Sequence, residues 1–446
     1  MFSNKQLKDM ILPLFMEQLL VMLVGIADTF VVSYSGEAAV SGVSLVNSFN
    51  TVFINLFTAL AAGGAVVVSQ YLGRGEREKS SETVSQLLNV STIFSVLMMF
   101  PVLIFSRPIL TGLFGRVELD VMEACETYLR ISAYSYPALA VYNAGAAMYR
   151  SIGKTSTTMY ISIAANLINV AGNCIGVFVL HAGVAGVAWP SLIARTFSAV
   201  VITVLCFSDK REIRYDKKWI FSWNGQLQKM MLRIAVPNGA ESGIFQFVKV
   251  ALSSVVALFG TYQIAANGIA QSIWGMASLV CVTMGPVFIT VIGQCMGAGE
   301  VKQAEAYFRK LMKTTLVFAI LWNALIFAAT PIALMGYAVS AETKRLVIII
   351  VLLHNIFSAI AFPFADPLGK GLRATGDVMF TTVISIFTTV GIRLFFSFVF
   401  AVTLDMGVIG IAIAMCLDWV IRGIILWLRF EQGSWKQFHV IQEGKF

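Results

Sequence analysis

The chain alternates long apolar runs with short polar segments, and this pattern predicts an all-α membrane protein. An apolar run of about 20 residues is long enough to cross a bilayer as a helix. Such runs predict twelve transmembrane helices, spans 1 to 12, at residues 10–34, 45–71, 86–106, 122–147, 156–180, 184–207, 232–258, 265–294, 309–331, 346–368, 377–402 and 407–430.

Span 1 carries two carboxylates, Glu17 and Asp28. A charged side chain in hydrocarbon costs several kcal/mol, and it is rarely found there without a role. At about 100° per residue, the step from Glu17 to Asp28 is a rotation of about three turns plus about 20°, so both side chains lie on one helical face. Span 1 therefore presents an acidic stripe that needs partners elsewhere in the chain.

The basic residues are divided unevenly between the two predicted sides of the membrane. The loops on the side opposite the termini carry only Arg107, Arg116, Lys344 and Arg345. Cytoplasmic loops are enriched in Lys and Arg, so both termini are predicted to be cytoplasmic. We expect a multi-pass protein of the cell membrane, namely a bacterial plasma membrane.

The two halves of the chain repeat at a constant distance along the sequence, which we call the repeat offset. The repeat offset aligns SQYLGRGE with GQCMGAGE, and its matched pairs include Pro13 with Pro237, Glu17 with Glu241 and Gly36 with Gly260. Six spans per repeat is an even number, so both halves enter the membrane in the same direction. We therefore predict two parallel six-helix bundles related by a pseudo-twofold axis along the membrane normal. The predicted bundles are 1–207 and 232–430, with a cytoplasmic linker at 208–231 and a cytoplasmic tail at 431–446.

The composition supports a membrane protein and argues against other classes. The chain is 58% hydrophobic and 13% charged, whereas a soluble domain has about 25% charged residues. Basic cytoplasmic loops explain the net charge of +8, so we expect no nucleic-acid partner. The sequence has no phosphate-binding loop, nucleophile motif or cluster of metal ligands. We therefore expect no enzymatic activity, no bound metal and no cofactor.

A polar layer is predicted in the outer half of the first bundle. Asp28 in span 1, Asn169 and Asn173 in span 5, and Ser191 in span 6 fall at one depth when counted from the outer ends of their spans. Their oxygens suit a small hard cation such as Na⁺, and the carboxylate alone suits a proton. Hydrogen bonds among these groups, which would hold the helices together, are the structural alternative.

Glu17 and Glu241 lie at equal depth near the cytoplasmic ends of their spans. They are candidates for attracting a cationic substrate or forming a gate. Alternatively, each carboxylate stabilises the positive end of a helix dipole.

The second half has Leu252 at the position equivalent to Asp28, and it places several charges inside its spans. Asp418 with Arg422, and Asp366 with Lys370, have the i, i+4 spacing of helical ion pairs. Lys249 and Arg393 have no evident local partner, so they are candidates for contacting acidic groups or an anionic part of a substrate. His354, in span 10, is either a proton relay or a hydrogen-bonded packing residue.

Several motifs together resemble the multidrug and toxic compound extrusion (MATE) family, part of a superfamily that includes polysaccharide and lipid exporters. They are VGIADTFVVSYSGEAAVSGVSL, SQYLGRGE, YRSIGKT, GVAGVAWPS and GLRATGD. The resemblance covers essentially the whole chain. It implies a V-shaped pair of six-helix bundles and export driven by entry of protons or sodium. The implied substrates are cationic or amphiphilic small molecules.

The resemblance also implies a cation site in the first bundle. Family members that bind a cation there use an Asp in span 1, an Asn and an Asp in span 5, and a Thr in span 6. These positions correspond to Asp28, Asn169, Asn173 and Ser191. Asn173 thus replaces a carboxylate and Ser191 a threonine. A site with one charge binds Na⁺ less strongly, which favours proton coupling through Asp28 and leaves Na⁺ at Asp28, Asn169 and Asn173 as the alternative.

We therefore predict a secondary active exporter, an antiporter that couples inward proton flow to efflux of amphiphilic, often cationic compounds by alternating access. The alternatives are a sodium-driven exporter and a flippase for a lipid-linked or polymeric intermediate. The expected partners are small-molecule substrates and the lipid bilayer, and we expect a monomer.

Overall fold

A computed structural model describes residues 2–115, 118–208, 213–337, 339–438 and 440–441. All regular secondary structure within these residues is helical. Arg116, residues 209–212 of the predicted linker, and residues 439 and 442–446 of the predicted tail lie outside the described residues.

Within the described residues, the first half of the chain forms nine helices before the one that leads into the second half. They are α1 (Asn4–Ser33), α2 (Glu37–Gly73), α3 (Arg77–Ile104), α4 (Ser106–Phe114), α5 (Leu119–Tyr134), α6 (Tyr136–Ser151), α7 (Thr155–Cys174), α8 (Ala185–Cys206) and α9 (Lys217–Ile220). A π-helical turn, Ile175–Val179, extends α7.

The remaining helices continue the numbering. They are α10 (Gly225–Val256), α11 (Thr261–Ala277), α12 (Leu279–Gly297), α13 (Val301–Met335), α14 (Ala341–Ile360), α15 (Phe362–Ala365), α16 (Pro367–Thr375), α17 (Val378–Phe387), α18 (Phe395–Phe398) and α19 (Gly407–Glu431). Two π-helical segments, Thr388–Leu394 and Val399–Thr403, flank α18, and a 3₁₀ turn spans Ser434–Gln437.

Ten helical segments of the described chain are long and apolar enough to cross a membrane. The other two predicted spans fall on α5 with α6, which are separated at Ser135, and on α10, which carries Glu241 and Lys249. Span 10 ends earlier than predicted because Pro363 and Pro367 begin new short helices. Proline has no N–H to continue a helix and is tolerated in the first turn.

The chain divides into two compact units. The first unit is Ser3–Gly239, and the second is Ala240–Phe446 together with Met1–Phe2. Each unit has its own apolar core: Val46 and Phe57 are buried in the first, and Val347 and Ile350 in the second. In the first unit, α7 packs against both α1 and α8.

The repeat seen in the sequence extends to the irregular parts of the backbone. Helix α2 spans Glu37–Gly73, the pair α11 and α12 spans Thr261–Gly297, and the repeat offset relates both ends of the two segments. The π-helical turns Ile175–Val179 and Val399–Thr403 are related by the same offset. The two halves therefore share local geometry as well as helix order.

The backbone of the π-helical turn that extends α7 lies very close to the backbone at the start of α8. A Cβ atom added to Gly176 would lie 2.1 Å from the carbonyl oxygen of Gly186, and one added to Gly186 would lie 2.6 Å from the carbonyl oxygen of Gly176. A Cβ atom added to Gly410, the repeat equivalent of Gly186, would lie 2.6 Å from the backbone nitrogen of Ala401. Only glycine fits these positions without moving a helix.

We predict that Gly176→Ala destabilises the protein by about 1–3 kcal/mol, because the added methyl group forces α7 and α8 apart. Thermal unfolding in detergent, followed by size-exclusion chromatography, measures the effect. Gly112→Ala is the matched control, since a Cβ there meets no atom within 4 Å. Equal melting temperatures for the two variants would contradict the prediction.

Candidate functional site

Asp28, Asn169, Asn173 and Ser191 meet in the first unit, and we call them the Asp28 cluster. Packing of α7 against α1 and α8 brings the four side chains together. Asn173 Nδ2 donates to Asp28 Oδ1 at 2.6 Å. Asn169 and Asn173 are buried, whereas Asp28 and Ser191 are partly buried. The four residues predicted from the sequence to share one depth therefore also share one site.

The Asn169 carboxamide lies between Asp28 and Ser191. When its nitrogen faces the carboxylate, it donates to Asp28 Oδ1 at 2.8 Å, and its oxygen accepts from Ser191 Oγ at 2.9 Å. This orientation satisfies an ionised carboxylate, which only accepts hydrogen bonds. In the opposite orientation the amide oxygen faces Asp28 and accepts from Asn173 Nδ2 at 3.2 Å, and Asp28 can donate to it only when its carboxyl group is protonated. The amide of Asn169 can thus accommodate either protonation state of Asp28.

Asn173 also has a carboxamide oxygen, whose environment differs from that of its nitrogen. Its Oδ1 is buried and accepts no hydrogen bond from the described residues. An unpaired buried acceptor costs about 1–3 kcal/mol. The Asp28 cluster therefore contains an oxygen, besides the carboxylate, that is free to contact a proton-bearing group or a cation.

Arg195 is a residue of this region that the sequence analysis missed. It lies on α8 one turn after Ser191, and its Nη1 donates to Ser135 Oγ at 2.7 Å. It makes no ion pair among the described residues, and its charge acts on Asp28. Arg195 is the only charged residue in span 6, so the cost of a charge in hydrocarbon was the signal that pointed to it.

Glu17 is buried in an ion pair. Arg150 Nη2 donates to its Oε1 at 3.0 Å, and Thr158 Oγ1 donates to its Oε2 at 2.9 Å. The interpretation that Glu17 stabilises the positive end of a helix dipole is wrong. Helix α1 begins at Asn4, and a helix dipole acts only within the first turn. A paired carboxylate also has little free charge with which to attract a cation.

Glu241 repeats this arrangement in the second unit. It forms an ion pair with Arg373, which lies one position before the exact repeat equivalent of Arg150. Helix α10 begins at Gly225, so Glu241 does not stabilise the positive end of a helix dipole either. Each half therefore ties its first long helix to the end of its fourth span with an equivalent ion pair.

The second unit contains a buried charge cluster around Asp418. The predicted pair with Arg422 is confirmed at 2.7 Å, and Asp418 also contacts Arg393 Nη2 at 2.8 Å. Of the two interpretations of Arg393, the structure shows contact with an acidic group, Asp418, which lies on another helix. The predicted pair of Asp366 with Lys370 is confirmed at 2.8 Å.

Lys249 and His354 differ in their surroundings. Lys249 is exposed and makes no ion pair within the part of the chain that the structure describes. His354 is buried, with its ring 6.1 Å from that of Trp419. Neither ring nitrogen of His354 has a hydrogen-bond partner among the described residues. His354 therefore packs in the interior without a hydrogen bond to the described residues, and the relay interpretation stays a prediction.

Known proteins similar to this chain are transporters. The chain is 24% identical to the uncharacterized transporter YisQ of Bacillus subtilis, over 95% of this chain and 93% of that protein. It is 25% identical to the probable multidrug resistance protein NorM of Thermotoga maritima, over 98% of this chain and 94% of that protein.

Solved structures share the fold. One is the outward-facing conformation of a multidrug resistance MATE family transporter of the MOP superfamily, with a TM-score of 0.88, 20% identity, and coverage of 97% of this chain and 96% of that chain. Another is MATE in the straight conformation, with a TM-score of 0.89, 19% identity, and coverage of 97% of both chains.

The model of the family described as MatE matches the chain twice, at residues 13–175 and 237–399. The repeat offset relates the beginning and the end of the second match to those of the first. Together the matches cover well over half of the chain. The chain therefore belongs to the MatE family of multidrug and toxic compound extrusion transporters.

Proposed function

We propose that this protein is a secondary active multidrug exporter, an antiporter that exchanges protons for amphiphilic, often cationic compounds by alternating access. The observation that carries the proposal is the Asp28 cluster, in which a carboxylate within a membrane-spanning helix contacts amide groups of another helix. An ionisable group inside a membrane segment commonly marks an ion or proton pathway. The names of the relatives support multidrug compounds as the substrates.

The hydrogen bonds of the Asp28 cluster favour protons over Na⁺. Asn173 turns its Nδ2 toward Asp28, and Asn169 can do the same. An amide nitrogen donates hydrogen bonds and does not ligate Na⁺, which requires several oxygens. The single carboxylate also provides only one negative charge, and a site with one charge binds Na⁺ less strongly. A sodium-driven exporter is the alternative, and it would use the oxygens of both amides as ligands.

Protonation of Asp28 acts as a physical switch in this proposal. The ionised carboxylate accepts from Asn173 and Asn169 and is attracted to Arg195. Adding a proton removes that attraction and turns one acceptor into a donor, so the contacts between α1, α7 and α8 must change. We propose that the protonated state weakens substrate binding and that deprotonation restores it.

The wider arrangement is part of the same proposal. We propose twelve transmembrane helices in two parallel six-helix bundles, residues 1–207 and 232–430, in a plasma membrane with both termini in the cytoplasm, and a monomeric protein. The ten clear membrane-type helices and the repeat support this arrangement. The flippase alternative has less support, because Arg393 is paired with Asp418 and contributes less free charge.

We predict that Asp28→Asn lowers proton-driven efflux at least about tenfold, because the amide cannot bind and release a proton. Efflux of ethidium from proteoliposomes with an imposed pH gradient and no sodium measures the effect. Folding is checked by thermal unfolding. Asp405→Asn is the matched control, since Asp405 lies in a loop at φ 54°, a conformation that asparagine also adopts readily. Full efflux by Asp28→Asn, or an equal loss in Asp405→Asn, would overturn the role of Asp28.

We predict that Asn173→Asp makes efflux respond to a sodium gradient, with about a tenfold gain in apparent sodium affinity, equivalent to about 1.4 kcal/mol. The second carboxylate supplies the charge and oxygen that the site lacks. Proteoliposomes with a sodium gradient at equal internal and external pH provide the measurement. If the wild-type protein is already driven by sodium alone, the preference for protons is wrong.

A further inference from the structure

A cavity in the second unit lies where the repeat places the counterpart of the Asp28 cluster. The repeat offset relates three of the four cluster residues to this cavity, Asp28 to Leu252, Asn169 to Arg393 and Ser191 to Met415. Leu252, Arg393 and Met415 line one cavity of about 100 Å³. The equivalent positions of both halves therefore form a site. The side chains differ, because leucine replaces the carboxylate of Asp28 and a guanidinium replaces the amide of Asn169.

The lining of the cavity is cationic. Lys249 and Arg393 both line it, and the lining includes no carboxylate among the described residues. Lys249 follows Phe245 by one helical turn and precedes Leu252 by three positions, so these side chains share one face of α10. Lys249 and Arg393 are thus the two basic residues of one cavity lining.

Asp418 neutralises only part of this charge. Its carboxylate contacts Arg393 at 2.8 Å and Arg422 at 2.7 Å, so one negative charge is shared between two positive ones. Lys249 adds a further positive charge and makes no ion pair among the described residues. The cavity of the second unit thus lies beside excess positive charge, with Lys249 at its exposed side.

Two buried hydrogen-bond donors in the lining of the cavity lack an acceptor among the described residues. Arg393 Nε and Trp274 Nε1 are buried and have no acceptor within the described residues, and both residues line the cavity. A buried donor without an acceptor costs about 1–3 kcal/mol. A group that only accepts hydrogen bonds, such as a carboxylate or sulfonate, would satisfy these donors and balance the charge.

The rest of the lining is largely apolar. Phe245, Val256 and Ile411 contribute to it, and the ring of Phe245 lies 5.2 Å from the guanidinium carbon of Arg393. We propose that the second unit binds an organic anion with an apolar body, whose acidic head group contacts Lys249, Arg393 and Trp274. Binding requires only the folded protein, whereas transport of this anion across the membrane rests on the proposed function.

The test compares 2-naphthoate with 2-naphthamide, which has nearly the same shape and no charge. Equilibrium dialysis against the full-length protein in nanodiscs of zwitterionic lipid, corrected with empty nanodiscs, gives both affinities. We expect naphthoate to bind at least about tenfold more tightly, since hydrogen bonds to charged groups are stronger than those between neutral groups. Lys249→Gln should lower naphthoate affinity about tenfold and leave naphthamide affinity unchanged.

Lys302→Gln is the matched control, because it removes the same charge at an exposed position of α13. Lys249→Arg, which keeps the charge, should retain naphthoate binding. Equal affinities for naphthoate and naphthamide, or equal effects of Lys249→Gln and Lys302→Gln, would overturn the proposal.

Asp28→Asn separates this proposal from the proposed function. It should retain naphthoate binding while losing proton-driven efflux. If the wild-type protein prefers naphthoate but a pH gradient drives no efflux, the anion site stands and the antiport proposal fails. If a pH gradient drives efflux but naphthoate and naphthamide bind equally, the antiport proposal stands and the anion site fails.

Discussion

Hydrocarbon offers a polar side chain no hydrogen-bonding partner, so each charge inside the membrane must be paired by the protein or used by it. This constraint accounts for the equivalent ion pairs Glu17–Arg150 and Glu241–Arg373, which fix the first long helix of each half. Asp28 is the exception, because it contacts amides and has no cation within ion-pair distance among the described residues. Because the hydrogen-bond donors that contact Asp28 are neutral, its carboxylate can gain a proton without breaking an ion pair. This property suits it to couple proton binding to transport.

The two repeated halves share local backbone geometry but differ in the side chains at their equivalent sites. The π-helical turns and the close glycine contacts recur at the repeat offset, so the local geometry is shared. The side chains at the equivalent sites differ, with Asp28 and Asn169 in one half and Leu252 and Arg393 in the other. One half therefore offers a negative group and the other a positive one. The duplicated scaffold accordingly carries two different binding chemistries.

Much of the fold was predictable because long apolar runs in hydrocarbon have to be helical, and because the repeat is visible in the positions of Gly, Pro and Glu. The break at Ser278 was not predicted, since it lies within the apolar run of span 8. The Asp28 cluster could be predicted from depth and from the family resemblance. The partner of Arg393 could not, because Asp418 lies on another helix, and spacing reveals only pairs within one helix.

The central claim is that Asp28 exchanges a proton for a cationic substrate. Its most direct test is the number of protons released when ethidium binds to the purified protein in weakly buffered nanodiscs, recorded with a pH indicator. The account predicts that the wild-type protein releases protons on binding and that Asp28→Asn, at ethidium concentrations that saturate it, releases none. Equal release by both proteins, or saturable binding to the wild-type protein without release, would contradict it.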